Sequence, residues 1–193
     1  GSGSGGASVA GSATTNFINT DTRASLADVS LDNAAAQVAV RAGDERQINS
    51  LAGALAGGSA GVGVAVAVNQ IGGSTVAEVR GGAADRQLHV SQLDVLATAG
   101  APGNAANIRT VAAGLGGGAS VGGAGSVAVN LMDGTVSAQI ADGADVVAQR
   151  ELNVSASQRQ GIDVLAGSLA IGGTAAGIGV GAVVNLMTGS TLA

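Results

Sequence analysis

Gly61-Val62-Gly63-Val64-Ala65-Val66-Ala67-Val68-Asn69 alternates valine with glycine or alanine and stops on an amide. Strict period-two alternation of this kind marks a β-strand, because successive side chains of an extended chain point to opposite faces. Related versions end at Asn16, Asn130 and Asn185, so the stretch is one unit written four times. The steps between these asparagines are 53, 61 and 55 residues. Other landmarks keep nearly the same step: Ile48, Ile108 and Ile162; Val40, Val95 and Val154; and an alanine eight residues after each asparagine, at Ala24, Ala77, Ala138 and Ala193. A recurrent period of this size predicts a stacked repeat architecture.

Composition narrows what can be stacked. The 193 residues include 34 glycines, a single aromatic (Phe17), no cysteine and no lysine, with 46% hydrophobic residues and a net charge of -5. A core of large rings is excluded, yet the apolar content is too high for a solvated disordered chain. Neither disulfides nor thiolate metal sites hold the fold. Nucleic acid is excluded as a partner, because no basic stripe exists to displace counterions from phosphates. Glycine pairs such as Gly57-Gly58, Gly72-Gly73, Gly81-Gly82 and Gly172-Gly173 separate the alternating stretches and supply tight corners. Strand, corner, strand predicts an all-β parallel β-helix, or β-solenoid. Each repeat of about 55 residues holds roughly five or six short strands, which favours two coils per repeat, with a single wide coil or a Gly-turned hairpin as the other arrangements.

Residues 47–77, 110–132 and 164–193 carry no charge and are long enough to span a bilayer as helices. The Val/Gly alternation, the helix cost of glycine and the lack of Trp, Tyr or Lys anchors argue against a membrane span in this chain.

Parity assigns the strand faces. Leu152-Asn153-Val154-Ser155-Ala156 puts Leu, Val and Ala inward, and Val136, Ala138 and Ile140 do the same. In the opening stretch Val62, Val64, Val66 and Val68 are read as inward, leaving Gly61, Gly63, Ala65 and Ala67 outward. Ala52, Ala54 and Ala56 likewise stand opposite Leu51 and Leu55. Such a smooth Gly/Ala wall is either packed within the chain or a flat contact face for a second molecule. Asn16, Asn69, Asn130 and Asn185 are expected to form a structural ladder of amides at a repeated corner.

Chemistry finds little material. The only histidine is His89, read as outward and solvated between Leu88 and Val90. Cysteine and lysine chemistry are absent. Asp142-Gly143-Ala144-Asp145, followed by Glu151, is the densest acidic spot, but the other repeats do not copy it, so no calcium or glycosidase cluster is expected. Ice binding would want threonine arrays, and Thr20-x-Thr22 occurs once. No catalytic residue, metal site or cofactor is assigned.

Ala144-Asp145-Val146-Val147-Ala148, Leu152-Asn153-Val154-Ser155-Ala156 and Val127-Ala128-Val129-Asn130 resemble the passenger-region repeats of Gram-negative secreted adhesins, the filamentous-haemagglutinin-like and autotransporter β-helix proteins. The resemblance covers essentially the whole chain and marks a repeat style. It implies a right-handed parallel β-helix at the bacterial cell surface or outside the cell. The expected role is a non-catalytic stalk or adhesive segment, with residues 1–193 one repetitive fragment of a longer chain. Its partners would be a cell-surface or matrix molecule, or other copies of itself. A self-assembling module is the alternative, and a polysaccharide-active β-helix enzyme a distant third.

Overall fold

The computed structural model describes residues 6–81, 87–101, 103, 107–141 and 143–193. Among them every regular element is a β-strand: β1 (Ala7–Asn19), β2 (Thr22–Ala27), β3 (Leu31–Glu45), β4 (Ile48–Arg80), β5 (Gln87–Gly100), β6 (Ile108–Ala141), β7 (Asp145–Gln158), β8 (Ile162–Gly172) and β9 (Gly177–Leu192). One sheet runs β1-β4-β6-β8, with β2 against β4 and β9 against β6; the second runs β3-β5-β7. All pairings are parallel.

The register follows the sequence landmarks. Asn16 pairs with Asn69, Asn69 with Asn130, and Asn130 with Asn185. Ile48, Ile108 and Ile162 stack, as do Val40, Val95 and Val154. Every pairing thus joins the same position of consecutive repeats, so one repeat forms one layer. The expectation of two coils per repeat is corrected, because two coils would pair residues within a repeat. Length variation falls where pairing is interrupted, as between Gly58 and Ala60.

Each layer has two lobes. In the body, the end of the long strand faces the second sheet around Ala77, Val79, Leu88, Val90, Leu93, Val95, Val136 and Ala138. Of the inward positions that parity assigned, Val136 and Ala138 are buried and Ile140, Val154 and Ala156 pack half-buried against this core, whereas Leu152, stacked on the fully buried Leu93, is 52% exposed on β7 at the end of the second sheet.

The other lobe is a thin blade. β4 and β6 run for 33 and 34 residues, well beyond the usual strand of about 3–10 residues, because each doubles back at its glycine-rich tip. The ascending arm, residues 48–58 in β4, lies against the descending arm, residues 60–72. Their facing surfaces are the small residues: Ala52, Ala65 and Ala67 are buried with Ala112 and Ala128, and Gly61, Gly63, Ala54 and Ala56 are buried beside them. The predicted contact face of Ala52, Ala54, Ala56, Gly61, Gly63, Ala65 and Ala67 is therefore enclosed within the chain and offers nothing to a second molecule.

The valine parity is inverted by the same fact. Val62 and Val64 point outward at 41% and 39% exposure, and Leu51 and Leu55 each reach 72%. The cause is the separation of the arms. A Cβ added at Gly63 would lie 2.9 Å from the carbonyl carbon of Leu115 and 3.2 Å from the carbonyl oxygen of Ala54. No room exists for valine between backbones this close, so the larger side chain of each alternating pair takes the outer face. Below the blade, Gly73 bends the strand into the body with φ +123, a conformation that side-chain-bearing residues avoid, and a Cβ added there would lie 2.7 Å from the carbonyl carbon of Thr20.

Substituting Gly63 by alanine is expected to destabilise the fold by about 1–3 kcal/mol or to prevent folding, as overpacking between fixed backbones does. Gly53→Ala, where an added Cβ meets nothing within 4 Å, is expected to be neutral or slightly stabilising. Urea denaturation followed by circular dichroism checks both, and equal loss in the two variants would show that the arms do not meet as described.

Candidate functional site

Three groups of polar side chains interrupt the apolar interior or line the body. The first is the asparagine ladder. Asn16 Nδ2 donates to Asn69 Oδ1 at 2.8 Å, Asn69 Nδ2 to Asn130 Oδ1 at 2.9 Å, and Asn130 Nδ2 to Asn185 Oδ1 at 2.9 Å. Asn69 and Asn130 are fully buried. The amides stand within the long strands, at the root of the blade, rather than at a corner. From the opposite arm Thr110 Oγ1 accepts from Asn69 Nδ2 and donates to Asn130 Oδ1, both at 2.8 Å. The pair Thr14 and Ser50 meets one layer earlier, at 3.1 Å between hydroxyls. Each buried amide thus uses both its oxygen and its nitrogen, which is what burial of a polar group requires. Beneath the ladder, Ile48, Ile71, Ile108 and Met132 close the blade's root.

The hydroxyls opposite the amides escaped the sequence reading. Their signal was available: Ser50 and Thr110 stand two residues beyond Ile48 and Ile108, on the same face as those inward isoleucines.

The second group surrounds Glu78, only 1% exposed. Its Oε1 accepts from Arg23 Nε at 2.9 Å and from Arg23 Nη2, and Arg80 Nε lies 2.9 Å away. Burial is the largest single influence and opposes ionisation. The hydrogen bonds from Arg23, Ser25 and Arg80 and the charge of Arg23 together outweigh it, holding the carboxyl below its ordinary value. Asp44 and Arg46 form a further well-buried pair at 2.6 Å, and Arg46 Nη1 donates to the carbonyl of Gly72 at the root of the blade. Arg23 thereby fastens β2 to β4, while Arg80 and Asp44 pair with residues two positions away along the chain.

The third group is on the body surface. His89 is not free in solvent: its Nδ1 donates to Asp32 Oδ1 at 2.7 Å, while Gln149 Nε2 donates to its Nε2 at 2.9 Å. The imidazole nitrogen that would serve as a base is thus occupied by an amide, and no hydroxyl nucleophile is bonded to it. Asp142 lies outside the described residues; Asp145 accepts from Gln87 Nε2 at 3.0 Å. Among the described residues, no group of three or more His, Cys, Asp or Glu could hold a metal ion. No helix among them is long and apolar enough to cross a membrane.

Comparisons of this chain with known protein families, curated proteins and solved structures find no match.

Two measurements test the polar framework. Asn130→Ala leaves the buried partner groups of Asn69 and Thr110 without it, and is expected to cost about 2–6 kcal/mol, from roughly 1–3 for each buried orphan; a melting curve within error of wild type would refute the ladder's structural weight. Glu78→Gln is expected to cost about 1–3 kcal/mol at pH 7. Because folding lowers the Glu78 pKa, its contribution is complete above the unfolded value of about 4.3 and fades as pH falls through the lower folded value. The melting-temperature gap between Glu78→Gln and wild type should accordingly narrow on acidification below about pH 4.

Proposed function

We propose that the chain is a non-catalytic stalk or adhesive segment of a large secreted protein on a Gram-negative bacterial surface, built as a right-handed parallel β-helix. The observation that supports this reading is the one-repeat-per-layer register. A chain that pairs each position with its counterpart in the next repeat extends by a fixed increment of about 4.8 Å per repeat, so repeat number sets reach. Each layer is tied to the next by backbone ladders and by buried Asn–Asn bonds, which resists bending between layers. The groups most suggestive of chemistry are used internally: Glu78 by arginines, His89 by Asp32 and Gln149. The acidic composition favours partners other than nucleic acid. In this reading the chain acts outside the cell, contacts a cell-surface or matrix molecule, and does not itself span the membrane.

Antibodies raised against the chain should label intact cells of its source organism; labelling seen only after lysis would remove the surface assignment. Small-angle scattering on versions carrying one or two additional copies of residues 69–129 should show the thickness along the stack growing by about 5 Å per copy while the width of a layer stays constant. A stack thickness that does not grow would rule out the stalk.

A further inference from the structure

We draw no further inference here: the strongest candidate, the exposed outer face of the blade's ascending arms with its rows of Leu51, Val111 and Leu165 and of Leu55, Leu115 and Leu169, is an unpartnered apolar surface, and nothing in the structure shows what covers it.

Discussion

Between the two arms of the blade the backbones approach until only the small side chains of glycine, alanine and serine fit. That spacing governs the rest of the structure. It forces Gly61, Gly63, Ala65 and Ala67 inward against Ala52, Ala54 and Ala56, and it expels the valines and leucines to the outside. Hydrophobic burial alone would choose the reverse, since valine and leucine gain more than alanine by leaving water. The inner arrangement gains dense contact between two sheets instead. The outer side chains recover part of their loss from neighbours above and below in the stack, so Leu115 in a middle layer is 39% exposed where Leu55 is 72%.

Amides placed inside such a structure must be satisfied without water, and parallel stacking accomplishes this by repetition. An asparagine in one layer offers its nitrogen to the oxygen of the next, and the hydroxyl of Thr110 closes the remaining bonds from across the blade. Because a one-residue slip would move the amides to the outer face and leave these groups unpaired, the ladder also fixes register. Glu78 is held by a related device, with Arg23 of the preceding layer and Arg80 of its own strand compensating its burial.

Much of this was legible. The alignment of Asn16, Asn69, Asn130 and Asn185, and of the isoleucine, valine and alanine landmarks, reproduces the observed register. The body strands were readable because their two faces differ in polarity. The blade was not, because both of its faces are apolar and the usual rule ranks them by size. Both partners of His89, and Arg23 of Glu78, lie 55–60 residues away in other layers, so local pattern carried no trace of them.

The sequence by itself determined the β-strand alternation, the repeat and its register, because each depends on the order and identity of residues recurring along the chain. Only the tertiary structure decided that one repeat makes one layer, and that the Gly/Ala wall faces inward while the valines of 61–69 face out. Alternation separates two faces without saying which is covered. That depends on what lies opposite, and here it is a second backbone too close to admit a larger side chain.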